Sequence, residues 1–160
     1  MIKRWDLLLR AIVLLIMMAP GTTAAEEEHE GHEGVHGHQH RLELFLGNTH
    51  DEGEDGFTVG IGYEYRLNEI LGIGGLVEHV GGDLNEFIGA VPLFIHPYKG
   101  WIFVLAPGFD YRQDRHDFLF RAGVAYGFEI DRWSISPVFN VDFVDGEQVL
   151  VYGLSFGYGF

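Results

Sequence analysis

The sequence predicts an all-β protein, an eight-stranded antiparallel up-and-down transmembrane β-barrel over residues 41–160. Three observations predict it. From Arg41 onward, large apolar residues recur at every second position, the period of a strand rather than a helix. Clusters of Gly, Asp, Asn and Pro break that alternation at intervals, as turns between antiparallel strands do. The opposite face is made mainly of Gly, Ala and Ser with a few charges, not the Lys, Glu and Thr of a solvated exterior. Small residues fit the crowded inside of a narrow barrel, whereas the rows of Phe, Tyr, Leu, Ile and Val would overfill it and fit better against acyl chains.

The chain opens with a segment outside this scheme. "MIKRW" is a basic n-region, "LLLRAIVLLIMMA" an apolar h-region and "TTAA" a small-residue cleavage site, which together read as a secretory signal peptide over residues 1–25. The apolar run is short and broken by Arg10, so it does not read as a transmembrane helix. Its removal takes away three basic residues and one acidic one and moves the net charge from −14 to −16. The mature chain then has Lys99 as its single lysine, which argues against nucleic acid as a partner. The absence of cysteine excludes disulfides in an exported chain and leaves closure of the sheet as a source of stability.

The strands follow in order. The first covers about 41–48, with Leu42, Leu44 and Leu46 on one face, and the second about 56–66, with Phe57, Val59, Ile61, Tyr63 and Tyr65. The third, about 70–80, and the fourth, about 86–96, are less clean because Gly75 and Gly89 interrupt the apolar face. In the fifth, about 101–112, Trp101, Phe103, Leu105, Phe109 and Tyr111 oppose Val104, Ala106, Gly108, Asp110 and Arg112. The sixth, about 117–130, sets Phe118, Phe120, Val124, Tyr126 and Phe128 against Arg121, Gly123, Ala125, Gly127 and Glu129. The seventh, about 133–144, sets Ile135, Phe139, Val141 and Phe143 against Ser134, Ser136, Asn140 and Asp142. The eighth is the C-terminal run "LVYGLSFGYGF", whose alternation continues to Phe160.

Strand ends support a membrane setting. Trp101, Trp133, Tyr65 and Tyr158 fall at one rim of an up-and-down barrel, as an aromatic girdle at a lipid interface does. The connections "RLNE", "HPYKG" and "EIDRW" at that rim read as tight, and "THDEGEDG", "VGGDLN", "RQDRHD" and "VDGEQ" at the other as acidic and slightly longer. The signal peptide, the alternating strands and the terminal "YGF" resemble a small bacterial outer-membrane β-barrel protein. The resemblance implies location in the outer membrane, outer-membrane lipid as surroundings, and a C-terminal strand ending at Phe160 that is read by the barrel-assembly machinery.

Function is then sought in the lumen, the loops and the tail. Glu43, Glu64, Arg66 and Glu129 point inward in one half and Glu78, Asp110, Arg121 and Asp142 in the other, a mixture of signs expected to pair and plug the interior. A narrow pore for small solutes is the alternative. The segment 26–40, "EEEHEGHEGVHGHQH", reads as a disordered periplasmic tail whose His29, His32, His36, His38 and His40 have the chemistry to hold zinc, copper or nickel. The same composition also fits a solvated linker. No cofactor is required by this reading, and the barrel is expected to be a monomer. A lipid-modifying enzyme is the rival class, but Ser134 and Ser136 lie near one rim and His79 and His116 near the other, beyond the reach that activates a nucleophile. His96, before Pro97, reads as a turn or interface residue.

Overall fold

The computed structural model describes residues 38–82, 84–112 and 115–160. The signal segment, His29, His32 and His36 lie outside them. Ten β segments follow one another: β1 (His40–Asp51), β2 (Glu54–Arg66), β3 (Leu71–Val80), β4 (Glu86–Ala90), β5 (Leu93–Ile95), β6 (Trp101–Arg112), β7 (Arg115–Tyr126), β8 (Phe128–Ile130), β9 (Trp133–Val144) and β10 (Glu147–Gly159). They make eight staves, because β4 with β5 and β7 with β8 are each one strand with a local break. The first break falls at Pro92, which has no N–H for the ladder, yet its carbonyl still accepts from Gly74 at 2.9 Å.

Every stave pairs antiparallel with its neighbours, and β1 pairs with β10 to close the ring. His40 and Phe160 exchange backbone hydrogen bonds at 3.3 and 2.9 Å, so the last residue of the chain is tied into the seam. The cross-strand register runs His40, Tyr65, Ile73, Leu93, Leu105, Ala122, Val141, Leu150 and back to β1 at His50, ten residues further along than it began. A stagger of that size around eight strands tilts them by roughly 40° from the axis. The 12 residues of β6 or β9 therefore rise about 30 Å, enough to cross an apolar layer about 25 Å thick.

The alternation sorts the faces as the sequence predicts. Leu42, Leu44 and Leu46 of β1, Phe57, Val59 and Ile61 of β2, and Ile135 and Phe139 of β9 all point outward and are exposed. Ile61 and Val77 are each 61% exposed in mid-strand, an arrangement that water would penalise and acyl chains would not. At the rim carrying His40 and Phe160, the terminal rim, Trp133 packs on Tyr158 at 4.8 Å and Trp101 on Tyr126 at 5.2 Å, so the expected aromatic girdle is present.

The expected difference in loop length is not. The distal rim, opposite His40 and Phe160, turns in two residues at Glu52–Gly53 and again at Asp145–Gly146. All four have positive φ (45°, 101°, 48° and 86°), the conformation whose twist matches that of a tight hairpin. The acidic segments flanking these turns continue the strands instead of looping. Lengths are mixed at both rims: the distal connection 81–85 has five residues, and the terminal connections 67–70, 96–100 and 131–132 have four, five and two.

Candidate functional site

The inward face carries charge at both mouths and in the middle, with two small apolar layers: Val80, Leu84, Ile88 and Leu119 in the distal half, and Phe94, Ile102 and Ala125 in the terminal half. Leu84, from the distal connection, is 4% exposed and folds in over that end of the lumen.

The middle is held by Arg121. From β7 its Nη1 and Nη2 donate to Glu78 Oε1 and Oε2 on β3 at 2.8 and 2.7 Å. Its Nε and Nη2 donate to Asp142 Oδ1 and Oδ2 on the adjacent β9 at 2.6 and 2.7 Å. Because β3 and β7 are not neighbours in the sheet, the Glu78 bonds cross the lumen. A guanidinium that meets two carboxylates with paired N–H groups uses its fork geometry fully, which makes desolvating all three charges tolerable.

The distal mouth has a second cross-wall bridge. Arg112 Nη2, at the end of β6, lies 2.5 Å from Glu86 Oε2 on β4, 3.4 Å from Asp51 Oδ2 on β1 and 3.6 Å from Asp110 Oδ2 on its own strand. In the ring of eight, β6 stands directly opposite β1.

At the terminal mouth Glu64, 1% exposed, meets His96 Nε2 at 2.7 Å and Arg66 Nε at 3.3 Å. His96 Nδ1 lies 3.3 Å from Arg66 Nη2. With its proton on Nε2, the imidazole donates to the carboxylate and accepts from the guanidinium. Glu64 reaches across β3 to do this, in the space that Gly72 leaves open: a Cβ there would stand 2.2 Å from Glu64 Oε1. Gly157 plays the same part on β10, where Arg41 reaches over to Ser134 while its Nε pairs with Glu43 at 3.0 Å. A cavity of about 230 Å³ opens beside this mouth, lined by Arg66, Glu69, His96, Lys99 and Glu129 among others.

Of the inward residues read from sequence, Glu64, Glu78, Asp110, Arg121 and Asp142 are buried, while Glu129 is exposed at the rim. His96 heads the connection 96–100, as its place before Pro97 predicts, but its side chain, 9% exposed, turns into the mouth of the lumen against Glu64. Its parity with Glu86, Ile88 and Phe94 on the same stave was the available signal. Asp51, placed by sequence in a loop, is an inward strand residue for the reason given above.

Of the five histidines in the segment 26–40, His38 and His40 are among the described residues. His40 is not in the tail but opens β1, with Nδ1 2.7 Å from the Tyr63 hydroxyl and its ring stacked on Phe160 at 5.5 Å. His38 lies beside Gly159 across the seam. Among the described residues no three His, Asp or Glu side chains form a ready metal site. Ser134 is engaged with Arg41 and Ser155 with Glu43 at 3.1 Å, while His79 Nδ1 lies 3.2 Å from the Glu86 carbonyl.

No family model and no curated protein matches the chain. Solved structures do. A de novo designed transmembrane β-barrel superposes with a TM-score of 0.53 at 14% identity, over 73% of this chain and 94% of the other. The N-terminal β-barrel domain of Pseudomonas aeruginosa OprF gives 0.51 at 14% identity, over 78% and 99%. Ail, the attachment invasion locus protein of Yersinia pestis, gives 0.50 at 12% identity, over 76% and 96%. At such identities the likeness is one of fold: a closed eight-stranded antiparallel barrel of the transmembrane kind.

Proposed function

We propose that the protein is a bacterial outer-membrane barrel with a structural or interaction role, that its lumen is plugged, and that it is not an enzyme. One observation carries the reading: an apolar outer belt surrounds an interior crossed by Arg121–Glu78 in the middle and Arg112–Asp51 at the distal mouth. The belt supports lipid as the surrounding medium, and the bridges leave no wide path along the axis. Further support comes from the seam, where Phe160 is fastened to His40 as the terminal strand of an assembled barrel requires.

In this reading the terminal rim faces the periplasm, and the segment 26–40, apart from His40 at the start of β1, extends there. Its histidines supply imidazole nitrogens suited to zinc, copper or nickel. His40 differs from the others because its Nδ1 is already engaged with Tyr63.

Two measurements test this. In a planar bilayer the folded full chain should give no steady conductance; a sustained open level would replace the plug with a pore. Calorimetric titration with zinc, copper and nickel should show binding by the wild type that is lost when His29, His32, His36 and His38 are all changed to Asn. Equal isotherms would reduce the segment to a linker.

A further inference from the structure

We propose that the distal mouth is a binding site for a hard divalent cation of the calcium class, and that the Arg112 guanidinium holds the place of this ion until the ion displaces it. The geometry is unusual for an ordinary ion pair. Three carboxylates from three strands, Glu86 on β4, Asp51 on β1 and Asp110 on β6, converge within 3.6 Å of a single nitrogen, Arg112 Nη2. Among the described residues, one guanidinium faces three carboxyl groups.

Two of these carboxylates are not satisfied by the arginine. The Asp51 and Asp110 side chains are 9% and 4% exposed, and in each the oxygen Oδ1 is buried with no hydrogen-bond partner. A buried carboxyl oxygen left without a partner is costly, and the guanidinium makes no hydrogen bond to either of these two. A calcium ion does: it takes six to eight oxygens in irregular arrangements and accepts carboxylates through both oxygens at once. Magnesium, which demands a compact octahedron, suits this spread of distances less well.

Arg112 is able to leave. Its side chain is 38% exposed, against 1% for Arg121, and it sits at the end of β6 where an unbent side chain reaches water without disturbing the ladder. Because Nη2 occupies the centre, the carboxylates do not present a vacant cage; the cage forms as the arginine swings out. A bound ion then ties β1 to β4 and β6 across the mouth, a fastening that no backbone hydrogen bond supplies.

The test is calorimetric titration of calcium chloride into the full chain, folded in a non-ionic detergent at physiological ionic strength, for the wild type, Asp110→Asn and Arg112→Gln. Any binding by the segment 26–40 is common to all three and cancels in the comparison. The wild type should show a calcium site that Asp110→Asn loses, and Arg112→Gln should bind roughly tenfold more tightly because a competing unit charge is gone. Magnesium should bind at least about tenfold more weakly than calcium. The proposal is overturned if the wild type and Asp110→Asn give the same isotherm, if Arg112→Gln gains no affinity, or if magnesium matches calcium. Should Asp110→Asn fail to show the heat-modifiable gel migration of a folded barrel, the Arg112→Gln comparison decides alone.

Discussion

Replacing Arg121 by methionine isolates the central bridge of the lumen. The side chain is 1% exposed and donates four hydrogen bonds, at 2.6 to 2.8 Å, to two carboxylates. At about 1.5–3 kcal/mol for each bond to a charged group, a plain sum would reach about 6–12 kcal/mol, but that ignores the cost of taking the guanidinium out of water. The better measure is what remains after substitution: Glu78 and Asp142, 5% and 1% exposed, stranded without a counter-charge. Breaking a buried pair from one side costs about 3–5 kcal/mol, so Arg121→Met should lose that much. The triple variant Arg121→Met, Glu78→Gln, Asp142→Asn removes the stranded charges and should recover at least about 2 kcal/mol of the loss. Urea unfolding of barrels folded in bilayers, followed by tryptophan fluorescence and by gel migration, measures both. A loss below about 1 kcal/mol for the single variant, or a triple variant no more stable than the single one, would refute the view that desolvated charge dominates at this site.

Three further outcomes are expected. Ile61→Arg, in the middle of the outer belt, should cost about 2–4 kcal/mol in a bilayer, and a change of under about 0.5 kcal/mol in the same urea assay would speak against a lipid-facing belt. Gly74→Ala should destabilise by more than about 2 kcal/mol because its Cβ would lie 1.8 Å from the Tyr63 carbonyl, whereas Gly75→Ala meets no atom within 4 Å and should be neutral in thermal melts. His96→Leu deprives Glu64 of its closest partner and should cost about 1–3 kcal/mol; adding Glu64→Gln should return part of this, and no such rescue would mean that the histidine acts by packing alone.

Much of the fold follows from local rules. A side-chain period of two, with bulky residues in one phase and small ones in the other, assigns every strand to an outward and an inward face, since neighbouring residues of a strand must point to opposite sides. β6 and β9 occupy the residues that alternation predicts, and the buried Glu64, Glu78, Asp110, Arg121 and Asp142 all lie on the predicted inward phase. The same phase contains His96, whose side chain faces Glu64 although the residue already belongs to the connection after β5.

Sequence alone determined that this chain forms strands, how each strand turns its faces, and that charges are sent inward, because these depend on neighbours one or two residues away. Which charges meet was decided only by the closed barrel. Glu78 finds Arg121, and Asp51 finds Arg112, across a lumen whose partners are set by strand order and by a stagger of ten residues around the ring. Local pattern carries no information on that stagger. It also says nothing of the reach of Glu64 over Gly72, since the room for that contact belongs to a different strand from the side chain that uses it.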